Sequence, residues 1–118
     1  MRLSKELRKR TKDFAGETIS LYIRLPKQRK EVDVCGQQVL RAATSVAAHA
    51  REASRARSDA EFCAKIGVLL QEADESQLWL EFLAERCAIT DAQIPLLHKE
   101  SDELISIFTT ILSKLNRK

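Results

Sequence analysis

Residues 61–83 read "EFCAKIGVLLQEADESQLWLEFL", and this stretch decides the fold. Phe62, Ile66, Leu69, Ala73, Ser76, Leu80 and Leu83 recur at alternating spacings of four and three, and Cys87 continues the series. Such a series lines one face of a helix with 3.6 residues per turn. Ser58 stands before the run with Glu61 three residues later, a capping-box pattern that marks a helix start. The pattern predicts a helix over 59–87.

The same alternation extends in both directions. Val32, Cys35, Val39, Ala42, Val46, His49, Ala53 and Ala56 predict a helix over 31–56, and its many alanines let a neighbouring helix come close. Leu7, Thr11, Phe14, Thr18, Leu21 and Leu25 predict one over 4–24. It stops before Pro26, which lacks an N–H and restricts the residue ahead of it. Downstream, Thr90 and Gln93 repeat the capping-box spacing, and Ile94, Leu97, Ser101, Leu104, Phe108, Ile111 and Leu115 predict a fourth helix over 91–116. Pro95 falls in or near its first turn, where the missing N–H matters least. Short links make consecutive helices antiparallel, so residues 1–118 are expected to form a single all-α domain, an up-down-up-down four-helix bundle.

Composition agrees. The chain is 44% hydrophobic and 31% charged, with three glycines and two prolines, too little turn chemistry for a β-sandwich. "MRLSKELRKR" lacks the apolar core of a secretory signal, and no apolar run is long enough to span a membrane. Three cysteines without CxxC spacing indicate neither a disulfide framework nor a zinc site. A cytoplasmic protein with no membrane association is expected. The net charge of +3 hides an asymmetry: residues 1–57 hold 14 Lys and Arg against 6 Asp and Glu (+8), and residues 58–118 hold 6 against 11 (−5). Such a split points to an anionic partner for the first half or to association between basic and acidic surfaces.

The third helix has more apolar surface than one seam uses. Val68, Trp79 and Phe82 lie on a second face, with Leu78 close by and Glu75 one turn before Trp79. A helix apolar on two sides is buried on two sides, and in so small a bundle a second subunit is expected to supply the other cover. A carboxylate facing apolar surface needs a partner, and arginine fits it bidentately. Arg41, Arg51 and Arg55 line the side of the second helix turned from its seam, so arginine is expected to hold Glu72 and Glu75 within the chain or across a subunit boundary. The plainer alternative is that both are solvated surface charges.

Nothing resembles an active site. The Glu-x-x-His pairs of di-iron bundles are missing, and His49, alone on a seam, reads as hydrogen-bonded structure. Ser45, Ser76 and Ser101 lack a nucleophile-elbow context, and there is no glycine-rich phosphate loop. No catalytic residue, metal or cofactor is expected. The basic half carries Arg2, Lys5, Lys9 and Lys12 at spacings of three, four and three, widened by Arg8 and Arg10, and a loop cluster of Lys27, Arg29 and Lys30. Such a surface gains affinity for nucleic-acid phosphates by counterion release. With only Tyr22, Trp79 and four phenylalanines for stacking, backbone contact is favoured over base readout.

"LPK" at 25–27, "QQVLRAATSVAAHAREASRARS" at 37–58 and the 61–83 stretch, with its "EA-x-ES-x-x-WL" block at 72–80, resemble the four-helix bundle proteins encoded in 23S rRNA intervening sequences. That family is similar to the accessory variability determinants of diversity-generating retroelements. His49 stands where the family usually carries Asn, and Ala53 where it often carries Gly. The resemblance implies a left-handed up-down bundle, a homopentameric ring, a basic surface for nucleic acid and no catalytic activity. The expected function is a non-enzymatic homo-oligomer that binds the backbone of RNA or DNA. It would serve rRNA intervening-sequence or reverse-transcription machinery, with a protein partner such as a reverse transcriptase. The rival is a protein-interaction scaffold with no nucleic-acid role.

Overall fold

Several helix ends lie where a nearby side chain satisfies the backbone. In the computed structural model, which describes residues 2–116, the elements are α1 (Lys5–Arg24), α2 (Lys30–Ser54), α3 (Asp59–Glu85) and α4 (Gln93–Asn116). Ser4 caps α1 by accepting the Leu7 N–H at 3.1 Å, and Ser58 caps α3 by accepting the Glu61 N–H at 3.0 Å. The Glu61 carboxylate reaches the Arg57 N–H at 3.4 Å, one residue ahead of the place a capping box gives it.

The α2 helix ends at Ser54, two residues short of the expected 56, and the start of α4 and the end of α3 also differ from the sequence pattern, for clear reasons. The cap of α4 is Asp91, not Thr90: its carboxylate accepts the Gln93 N–H at 2.9 Å while Arg24 grips it from α1 at 2.9 and 3.1 Å. The Gln93 side chain turns instead to Glu17. An ionised cap held by arginine suits the positive end of a helix better than a hydroxyl. The α3 helix stops at Glu85, short of Cys87, because the chain unwinds there. Cys87 donates to the Phe82 carbonyl at 3.0 Å, Ile89 donates to the Leu83 carbonyl at 2.9 Å, and Ala88 takes the left-handed region at φ 57°. At the end of α1, Lys27 Nζ donates to the carbonyls of Tyr22, Ile23 and Leu25 at 2.9, 3.1 and 3.3 Å, covering the carbonyl end of the helix.

The four helices pack around a square, each against its two neighbours, with α2 and α3 sharing the widest interface and α1 and α4 the narrowest. The molecule measures 48 × 21 × 20 Å. Its core holds the predicted seams: Phe14 and Leu21 of α1, Val32, Val39 and Val46 of α2, Ile66, Leu69, Leu80 and Leu83 of α3, and Leu104 and Phe108 of α4. Close approach of α1 and α2 depends on Gly36, where a Cβ would lie 2.8 Å from Leu25 Cδ1 and 3.1 Å from Tyr22 Cδ1.

Polar residues on the seams are satisfied locally. Thr11, Thr18, Ser76 and Ser101 each donate to a carbonyl about one turn earlier, at 2.7–2.9 Å. Leu3 tucks its side chain into the core, and its N–H meets the Ser54 hydroxyl at 3.4 Å. None of the helices is long and apolar enough, among the described residues, to cross a membrane.

Candidate nucleic-acid and assembly surfaces

Lys5, Arg8, Lys9 and Lys12 of α1 share one side of a helix that lies beside α2. There they meet Arg51 and Arg55, and with Arg57 and Lys65 they line an open groove of about 1050 Å³. The groove spans α1, the last turns of α2 and the start of α3, and its only acidic lining is Glu52 and Glu61.

Several of these charges are already engaged. Lys65 pairs with Glu52 at 2.8 Å, Lys9 pairs with Asp13 one turn on, and Arg8 Nε donates to the Leu3 carbonyl at 3.3 Å. Lys65 holds the Glu52 carboxyl below its ordinary range, so that carboxylate stays ionised and compensated. Lys5, Lys12, Arg51 and Arg55 have no ion pair among the described residues. Four cations without an ion pair on two facing helices give that end of the molecule a positive field.

The structure divides the basic residues that the sequence placed together. Arg2 is a clamp: Nε donates to the Ala56 carbonyl at 2.9 Å, Nη1 pairs with Asp59 at 2.7 Å, and the guanidinium sits 5.7 Å above the Phe62 ring. Arg10 leaves the stripe for α4, pairing with Glu100 at 3.0 and 2.5 Å. Lys27 and Arg29 lie at the opposite end of α1. Lys27 covers carbonyls and lies 4.9 Å above the Tyr22 ring, while Arg29 bonds the Cys87 carbonyl at 3.0 Å and pairs with Glu31 at 2.8 Å. Lys30 is exposed at the start of α2. Arg51, Arg55, Arg57 and Lys65 are the groove residues that the α1 stripe alone does not reveal.

The outer face of α3 is a second feature. Leu78 and Phe82 are exposed, Val68 sits at the margin with 36% of its surface open, and half-buried Trp79 packs beside Phe82 with ring centres 5.7 Å apart. Glu72 and Glu75 lie one turn apart on the same side. The Glu72 carboxyl is pushed up, first by burial and then by the charge of Glu75, with His49 and Arg41 acting weakly the other way. Within the protomer neither carboxylate forms an ion pair with Arg41, Arg51 or Arg55; the last two line the α1–α2 groove instead.

His49 spends its Nδ1 locally, 2.8 Å from the Ser45 carbonyl and 3.1 Å from the Ser45 hydroxyl. A carbonyl only accepts, so Nδ1 carries the proton. On the far side of α3, His98 Nε2 meets Glu81 at 2.8 Å at the rim of a shallow cleft between α3 and α4. Sequence reading missed that pair, because the two residues stand on different helices.

A four-helix bundle with an open cationic groove at one end and an apolar, acidic face on α3 is the class of protein these features define. The sequence pattern of the 23S rRNA-intervening sequence proteins matches residues 4–110, and the chain belongs to that family. A solved protein of unknown function from Bacteroides thetaiotaomicron, of the S23 ribosomal protein family, is 34% identical to it. That likeness covers 90% of this chain and 97% of the other, with a TM-score of 0.80. No curated protein matches the chain.

Proposed function

We propose that this protein is a non-enzymatic, self-associating bundle that holds RNA or DNA by its phosphate backbone in the α1–α2 groove. The observation that carries this reading is the concentration of cations from α1, α2 and α3 around one groove, four of them without an ion pair among the described residues. Phosphates are the natural complement, since each contact releases condensed counterions. The lining holds no aromatic side chain, which favours backbone contact over base stacking.

Self-association uses the α3 face. Glu72, Glu75, Trp79 and Phe82 on one subunit would meet basic surface on the next, with Arg41 the helix 2 arginine left outside the groove. The family resemblance supplies the number five and a ring. A ring repeats the groove, and repeated weak sites bind through avidity when the geometry lets them engage together. A role beside rRNA intervening-sequence or reverse-transcription machinery rests on the same resemblance.

The test is electrophoretic mobility and fluorescence polarisation with labelled RNA and DNA at low salt, for the native protein and for a Lys5→Glu, Lys9→Glu, Lys12→Glu variant checked for helicity. The native protein should bind both and the variant should not. Unchanged mobility and polarisation with the native protein would overturn the reading.

The exposed α3 face supports a second reading, a scaffold for another protein with no nucleic acid involved. Capture from nuclease-treated lysate separates the two, because a direct protein partner survives digestion and an RNA-bridged one does not.

A further inference from the structure

The antiparallel packing of α2 on α3 brings the first turns of α2 to the end of α3. Arg29, the residue before α2, reaches across to the Cys87 carbonyl at 3.0 Å. Cys35 lies in the second turn of α2, half-buried against the core that includes Cys87. Cys87 is only 2% exposed. Both thiols border the same core at that end of the bundle, and the Cys35 thiol is pushed up, first by burial and then by Cys87. Cys87 also stands two residues beyond the last residue of α3, just before the left-handed Ala88.

We propose that Cys35 and Cys87 form a reversible thiol-oxidation site, whose reagent is a small-molecule disulfide such as oxidised glutathione. The asymmetry of burial sets the order of steps. Cys35, the more accessible, loses its proton, and its thiolate attacks one sulfur of the reagent. The reagent S–S bond breaks and one thiolate leaves, so Cys35 carries a mixed disulfide. The Cys87 thiolate then attacks the Cys35 sulfur and expels the second reagent thiol. Two protein thiols are oxidised to one disulfide, and the reagent disulfide is reduced to two thiols.

Because the thiolate is the attacking species and Cys35 holds its proton tightly, the reaction is slow at neutral pH and quickens as pH rises. The product closes a loop from residue 35 to residue 87 and clamps α2 to α3 at the end far from the groove, which should raise the melting temperature by several degrees. Cys63 serves as an internal control, since it precedes Cys87 by 24 positions in the sequence, roughly 36 Å along a helix.

The full-length protein is incubated with oxidised glutathione at about pH 8.5, near the ordinary thiol value. Thiols are then counted in denaturant, and the peptides are mapped by mass spectrometry. Of the three cysteines, two should disappear into one Cys35–Cys87 linkage, with Cys63 still free and all three recovered on reduction. C63S should behave as the native protein does, while C87S should stop with glutathione retained on Cys35. Three thiols surviving in the native protein, glutathione persisting on its Cys35, or a linkage through Cys63 or between chains would each overturn the proposal. The native map decides even where C87S fails to fold.

Discussion

The three glycines of this chain make a controlled experiment on helix packing, because one substitution should act with opposite signs at different sites. At Gly36 a new Cβ would sit 2.8 Å from Leu25 Cδ1 and 3.1–3.2 Å from two ring carbons of Tyr22. At Gly16 and Gly67 it would meet nothing within 4 Å. All three are helical, so alanine gains about 0.5–1 kcal/mol at each from the lower entropy of the unfolded chain. At Gly36 the intruding methyl must push α1 away from α2 or force Leu25 and Tyr22 aside, which costs about 1–3 kcal/mol. Gly36→Ala should therefore destabilise by up to about 2.5 kcal/mol, a fall in melting temperature of up to roughly 10 °C. Gly16→Ala and Gly67→Ala should each raise it by a few degrees. Thermal melts followed by circular dichroism at one protein concentration read all three. A stabilised Gly36→Ala, matching the other two, would refute the close α1–α2 approach.

Three further outcomes follow from the same geometry. Ala88→Gly should stabilise by about 1 kcal/mol, since glycine carries no left-handed penalty, and a melting temperature at or below the native value would count against the α3 terminus described here. Glu72 has a folded-state carboxyl raised by burial and by Glu75, so its contribution to stability is full below the ordinary carboxylate range and is lost as pH rises through the raised value. Glu72→Gln should therefore stabilise the protomer at neutral pH by about 0.2–0.5 kcal/mol and remove that slope in urea titrations at several pH values. A destabilised protomer would show the carboxylate already compensated. Phe82→Lys and Glu75→Lys, both at exposed positions, should lower the mass in light scattering while leaving helicity intact, and unchanged mass for both would place the subunit contact elsewhere.

The bundle was legible because its signal is local. Seam positions three and four apart report burial directly, and Phe14, Leu21, Val39, Ile66, Leu80 and Leu104 are all in the core. Ser58 was visible as a cap for the same reason, whereas Ser4, expected as the first residue of its helix, is the cap of α1. The α4 cap was not, because Asp91 wins over Thr90 only through Arg24, 67 positions away. The partition of the basic residues was likewise hidden. Arg10 and Lys9 are adjacent in the chain, yet one is paired with Glu100 across the bundle and the other lines the groove. Arg51 and Arg55 lie off the α2 seam, and periodicity alone does not say whether an outward residue leans towards α1 or α3. That lean separates them from Glu72 and joins them to the α1 lysines.

The claim that the groove holds phosphates is tested most directly by the salt dependence of binding. With Lys5, Lys12, Arg51 and Arg55 each meeting one phosphate, log affinity for a DNA duplex should fall with log salt at a slope of about −3.6 per engaged protomer. Lys12→Ala with Arg55→Ala should flatten that slope by about 1.8, whereas Lys30→Ala, at the other end of the bundle, should leave it within error. A slope that ignores the groove pair, or one that responds equally to Lys30, would contradict the account.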